Sequence, residues 1–61
     1  MVIITVWLTV GGNIARVYEY PNGTIEVMLR GEVNEVSKHY MDSIKNTATL
    51  IDTIVRPALV V

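Results

Sequence analysis

The first thirty residues alternate runs of β-prone apolar side chains with short breaks rich in glycine or proline. Residues 2–10 are uncharged and mostly β-branched or aromatic, which favours a strand, and the Gly-Gly-Asn at 11–13 indicates a turn. The same pattern gives a second strand over 14–20, a Pro-Asn-Gly turn, and a third strand over 24–30. It therefore predicts an antiparallel three-stranded meander.

The register of the second hairpin follows from its turn residues. Proline suits the first central position of a type I turn and glycine the left-handed position that follows, so Pro21 and Gly23 predict a three-residue loop. The alternative, a two-residue Asn-Gly turn, would place Arg16 and Leu29 on one face of the sheet. The three-residue loop keeps the faces distinct and pairs Tyr20 with Thr24, Val17 with Val27, and Ala15 with Leu29.

The first hairpin is less constrained, because two-residue Gly-Gly and Gly-Asn turns give the same faces and only a three-residue loop exchanges them. We expect a two-residue turn here. The apolar residues of all three strands then share one face of the sheet: Val2, Ile4, Val6, Leu8, Val10, Ala15, Val17, Ile25, Val27 and Leu29.

The spacing of apolar residues changes after Gly31. From Val33 onwards they recur at intervals of three and four, which predicts an amphipathic helix over residues 34–55. Asn34 is the expected N-cap, and Pro57 ends the helix. The fold class is therefore α+β: one domain over residues 1–61, with the meander packed on one long C-terminal helix. The short apolar tail 58–61 is a candidate extra strand.

In a sequential meander the second strand is central, so the first strand is an edge. Natural edges carry charges, proline or bulges, and residues 2–10 carry no such protection. We expect a second copy of the chain, or the tail 58–61, to pair with this strand, which predicts a homodimer or higher oligomer. The residues assigned to this oligomer edge are Val2, Ile3, Ile4, Thr5, Val6, Leu59 and Val60.

The sheet face turned away from the predicted helix carries residue types that are enriched at protein interfaces. We assign it as a partner-binding face that contains Trp7, Arg16, Tyr18, Tyr20, Met28 and Arg30. Two other interpretations stay open. The face can be a solvated ladder in which Trp7 stacks on Arg16, or a platform on which single-stranded bases stack.

Composition narrows the class of protein. The chain is 51% hydrophobic and 18% charged, which is much apolar surface for 61 residues to bury alone. It has no cysteine and one histidine, so disulfides and thiolate zinc sites are excluded, and we expect neither metal nor cofactor. A net charge of −1 argues against a nucleic-acid partner. Residues 2–10 are far shorter than the ~18 apolar residues of a membrane span and lack a basic leader, so we expect a cytoplasmic protein with no membrane contact.

No residue pattern supports catalysis. His39 with Ser37 or Ser43 would need an oxyanion-hole signal that is missing, and Glu35, His39 and Asp42 are typical of a solvated helix flank. We therefore predict a small non-enzymatic protein-binding module or inhibitor that acts as a homo-oligomer, like small antitoxins or virus-encoded counter-defence proteins. The alternatives are nucleic-acid binding by the aromatic and arginine face, or an oligomer that sequesters a small anionic ligand between subunits at Arg16 or Arg30.

Overall fold

The computed structural model describes residues 1–57, which form an antiparallel sheet of five strands and one helix. The α+β class is confirmed. The elements in chain order are β1 (Val2–Leu8), β2 (Ile14–Glu19), β3 (Ile25–Leu29), β4 (Glu32–Val36), α1 (Lys38–Thr47) and β5 (Thr49–Arg56).

The strands lie in the order β4-β3-β2-β1-β5. β4 and β5, which are separated in sequence only by α1, are the two opposite edges of the sheet. The helix therefore carries the chain from one edge to the other and packs on one face on the way. Within residues 1–57, the other face of the sheet carries no helix.

The predicted register of the second hairpin is confirmed. The Tyr20 amide donates to the Thr24 carbonyl at 2.9 Å, and the Gly23 amide donates to the Tyr20 carbonyl at 3.0 Å. Val17 faces Val27, as the turn residues predicted, and Ala15 faces Leu29. Gly23 adopts a φ of 90°, the left-handed conformation that the three-residue loop requires.

The prediction for the first hairpin is wrong, because its loop also has three residues. The Thr9 amide donates to the Asn13 carbonyl at 2.8 Å, the Gly12 amide donates to the Thr9 carbonyl at 2.9 Å, and Gly12 has a φ of 83°. The register shifts by one residue, so Trp7 faces Ala15. A shift of one residue moves every side chain of β1 to the other face. The side chains predicted to meet the helix therefore lie on the uncovered face of the sheet: Val2, Ile4, Val6 and Leu8.

The predicted helix over residues 34–55 is also wrong at both ends. Asn34 lies in β4, and the N-cap is Ser37, whose Oγ accepts from the Tyr40 amide at 3.2 Å. The helix ends at Thr47, well before Pro57. β-branched residues dominate the segment that follows, and such side chains lose rotamer freedom in a helix and pack well in a strand. That segment is β5.

The core lies between α1 and the helix-facing side of β1, β2 and β3. Its buried members are Trp7, Ala15, Val17, Val27 and Met41, and Ile44 and Ala48 pack against them. The Trp7 indole Nε1 donates to Thr5 Oγ1 at 2.8 Å, so its polar atom is satisfied within the same strand. With so few buried side chains, the margin of stability is small.

β1 is not an edge strand, which corrects the basis of the oligomer-edge prediction. It is paired with β2 on one side and with β5 of the same chain on the other. The strand predicted to come from a second copy or from the tail is therefore provided by the segment 49–56 of the same chain. Leu59, Val60 and the rest of the tail lie outside the described residues.

The two actual edges carry protective features. β4 contains Glu32 and Glu35, and charged side chains oppose pairing with another strand. β5 contains a β-bulge: Val6 faces Asp52 while Trp7 faces Leu50, so Ile51 is the extra residue. Among the described residues, no helix is long and apolar enough to cross a membrane.

Candidate interaction surface

The sheet face that α1 does not cover is the candidate functional surface, and we call it the open face. Alternation along each strand defines it, because residues next to the buried Trp7, Val17 and Val27 point the other way. Its apolar and aromatic members are Val2, Ile4, Val6, Leu8, Ile14, Tyr18, Tyr20, Met28, Val33 and Ile54. Its charged members are Arg16, Glu26, Glu35, Asp52 and Arg56.

Two rows of directly paired residues cross the open face from β5 to β4. The first row runs Ile54, Ile4, Tyr18, Glu26, Glu35. The second row runs Asp52, Val6, Arg16, Met28, Val33. The centre of the open face is therefore aliphatic on β1, with Arg16 and Tyr18 beside it on β2. Carboxylates lie toward both edges of the sheet, on β5 at one edge and on β3 and β4 at the other.

A shallow cleft of about 460 Å³ lies over the β5, β1 and β2 part of this face. Ile4, Val6 and Ile54 line its apolar part, together with Tyr18, and the charged groups around them are Arg16, Asp52 and Arg56. Arg16 and Asp52 are exposed, whereas Val6 between them is half-buried. An apolar strip inside a charged border is typical of a protein contact surface.

Asp52 is held in place on this face. Its Oδ1 accepts a hydrogen bond from the backbone amide of Thr53 at 2.8 Å. The bulge at Ile51 places the carboxylate in direct register with Val6. The geometry presents an anion at the border of the cleft, on the opposite side of β1 from Arg16.

A second polar group lies toward β3 and β4. The Tyr20 hydroxyl donates to Glu26 Oε1 at 2.6 Å. This hydrogen bond to Glu26 raises the pKa of the Tyr20 phenol above its ordinary value, and partial burial and the negative charge of Glu26 act in the same direction. Glu26 is also directly paired with Glu35, so two carboxylates stand side by side on adjacent strands.

The structure brings together four of the six residues assigned to the partner-binding face. Arg16, Tyr18, Tyr20 and Met28 all lie on the open face. Trp7 does not, because the three-residue first loop turns it into the core, where it is 8% exposed. Trp7 therefore cannot stack on Arg16 or contact a partner.

Arg30 occupies a different place from the other five. It forms the two-residue turn between β3 and β4 with Gly31, and both residues have positive φ, 55° and 79°. These values are those of a type I′ hairpin turn. Arg30 borders a second cleft, of about 370 Å³, on the helix side of β3 and β4, where Tyr40 and Val36 also contribute.

The residues assigned to the oligomer edge divide between the two faces. Val2, Ile4 and Val6 lie on the open face, in a central strand. Ile3 and Thr5 point to the helix side, beside Trp7. That Asp52, Ile54 and Arg56 of β5 belong to the open face was not predicted from the sequence. The signal that could have found them is the high β-branched content of residues 49–56.

Neither family models, curated proteins nor solved structures show a match to this chain.

Proposed function

We propose that this chain is a non-enzymatic protein-binding module that acts as a homo-oligomer, and that the open face is its contact surface. The proposal rests on four aliphatic side chains along β1, a central strand, which lie on its helix-free side: Val2, Ile4, Val6 and Leu8. Within residues 1–57, no other segment covers these four side chains. A sheet normally buries one face and exposes a polar one, so an aliphatic centre on the second face favours a protein contact.

The surrounding residue types support the same function. Tyrosine, methionine and arginine are enriched where proteins contact each other, and Tyr18, Met28 and Arg16 lie next to the aliphatic centre. Tyrosine gives a large contact area with little loss of side-chain entropy, because it has few rotatable bonds.

The charges of the open face favour a protein over a nucleic acid. The face carries two arginines, Arg16 and Arg56, against the three carboxylates Glu26, Glu35 and Asp52. A phosphate backbone needs a clear excess of cations, whereas a protein surface can match charges of both signs. A small inhibitor that works in the cytoplasm by occupying a surface of its target is the form of this function that we favour.

Photo-crosslinking tests the proposal. A benzoylphenylalanine placed at position 18, in place of Tyr18 on the open face, is compared with one at position 40, in place of the exposed Tyr40 of α1. Both replace a tyrosine, so the two variants carry the same chemical change. In cells that express the chain, we expect protein adducts from position 18 and few from position 40. Equal yields, adducts to nucleic acid alone, or no adduct from position 18 would contradict the proposal.

A further inference from the structure

We infer that the partner seated on the open face is a second copy of this chain, related by a two-fold axis that runs along β1. This inference rests on the proposed function, since it names the occupant of the same surface. It starts from the positions of Asp52 and Arg16, which face Val6 from opposite sides in the same row. Adjacent strands are about 4.8 Å apart, so the two residues lie at equal distances from β1 and about 10 Å from each other.

Consider two sheets stacked with their open faces together, and a two-fold axis midway between them and parallel to β1. Rotation about this axis places β5 of one copy over β2 of the other, and it leaves each cross-strand row at the same position along β1. It therefore sets Asp52 of one copy over Arg16 of the other, and the same contact repeats on the other side of the axis. Within one chain the two charges are separated by Val6, whereas between copies they meet directly. The open face is complementary to itself in charge.

The first cross-strand row, which contains Ile54, Ile4 and Tyr18, matches itself under the same two-fold axis. Ile54 and Tyr18 face Ile4 from its two sides, so the axis places Ile54 of one copy against Tyr18 of the other. Ile4 and Val6 lie on the axis and meet their own counterparts. Stacked sheets cross at about 30°, which displaces pairs about 5 Å from the axis by only about 2–3 Å, within reach of these side chains.

A dimer of this kind adds a layer on the open face, where the sheet of a single chain has no packing partner within residues 1–57. The order of layers becomes helix, sheet, sheet, helix, with the aliphatic residues of β1 at the centre. The overlap is limited to β5, β1 and β2, so we expect it to bury less than the roughly 1,200 Å² typical of stable interfaces. We therefore expect a dimer that dissociates on dilution. Met28 and Val33 stay uncovered at its flanks, available to another protein.

Sedimentation equilibrium of the purified chain over a dilution series tests the inference. Arg16→Asp and Asp52→Arg each set like charges against each other at both symmetric contacts, and each is expected to weaken dimerisation about tenfold. The double variant Arg16→Asp/Asp52→Arg restores both attractions and should return the dimer to near the wild-type affinity. Lys45→Asp, which changes an exposed charge on α1, is the matched control and should leave the affinity unchanged.

The outcomes separate this inference from the proposed function. A chain that stays monomeric at all concentrations, or single charge variants that dimerise as well as wild type, would overturn the inference. So would a double variant as weak as the single ones. If position 18 then crosslinks only to other proteins, the open face is still a protein-contact surface, whereas the inference and the homo-oligomer part of the proposed function are both wrong. If position 18 crosslinks to no protein, both proposals are wrong.

Discussion

Tyr20 and Glu26 are joined across the β2–β3 hairpin by a hydrogen bond of 2.6 Å, in which the phenol donates to the carboxylate. The bond links Tyr20, the first residue after β2, to Glu26 near the start of β3, on the open face. It exists only while the phenol keeps its proton, so it ties the stability of this hairpin to pH.

The pKa of Tyr20 should fall toward its ordinary value of 10.0 in Glu26→Gln, because the variant removes the charged acceptor that raises it. The bond stabilises the folded state fully below pH 10.0, and this contribution is lost as the pH rises through the raised pKa. Titration of tyrosinate absorbance measures the shift, and Tyr20→Phe identifies which tyrosine moves. Identical titration curves for wild type and Glu26→Gln would contradict this prediction.

Replacing Glu35 by lysine should stabilise the protein. Glu35 directly faces Glu26, and like charges on directly paired residues destabilise a sheet, whereas opposite charges contribute about 0.2–1 kcal/mol. The free energy of unfolding in urea measures the gain. Glu32→Lys is the control, because Glu32 is in the same strand but faces Leu29 on the other side of the sheet. An equal gain from both variants would mean that net charge, and not the Glu26–Glu35 pair, is responsible.

Gly12→Ala should destabilise the protein, whereas Gly11→Ala should not. Gly12 has a φ of 83°, where an L side chain costs about 1–2 kcal/mol. At Gly11 an added Cβ meets only Asn13 Nδ2 at 3.5 Å, an ordinary contact, and alanine there restricts the unfolded chain. Thermal unfolding of the two variants measures the difference. Equal unfolding temperatures would show that the three-residue first loop is not required.

Met41→Ala should cost about 2–5 kcal/mol, because this side chain is 1% exposed and anchors α1 on the sheet. Denaturant unfolding measures the loss, and Asp42→Ala at the next, exposed position should change the stability little. Met41→Leu, which nearly conserves volume, should recover most of it. A small loss in Met41→Ala would mean that α1 contributes little to holding the core.

Local turn chemistry explains why one hairpin was predictable and the other was not. Pro21 and Gly23 each have a conformational preference that fits one loop, so the β2–β3 register follows from the sequence. The Gly11–Gly12 pair fits several loops, because glycine adopts positive and negative φ with similar ease. Which loop forms depends on whether Trp7 or Val6 is buried against Val17, and that is a matter of packing with α1.

The part of the open face on β2 and β3 was predictable, because the turn residues fix the register of that hairpin. Arg16, Tyr18 and Met28 alternate with buried residues of the well-defined hairpin, so their common face was readable. Asp52 and Ile54 were assigned to the predicted helix, because the bulge at Ile51 interrupts the alternation by two that marks a strand, and the β-branched content was the strand signal that remained. The apolar spacing of threes and fours that remains is also typical of a helix.

By itself, the sequence determined the β2–β3 hairpin and the need for a further strand beside the uncharged β1, since both depend on local residue chemistry. Only the tertiary structure decided that residues 49–56 provide this strand and that Trp7 faces the helix. The physical reason is that residues 49–56 combine an apolar spacing typical of a helix with β-branched side chains that favour a strand, so the local signals conflict. The hydrogen bonds of β1, which lies more than forty residues away in the chain, make the strand the lower state.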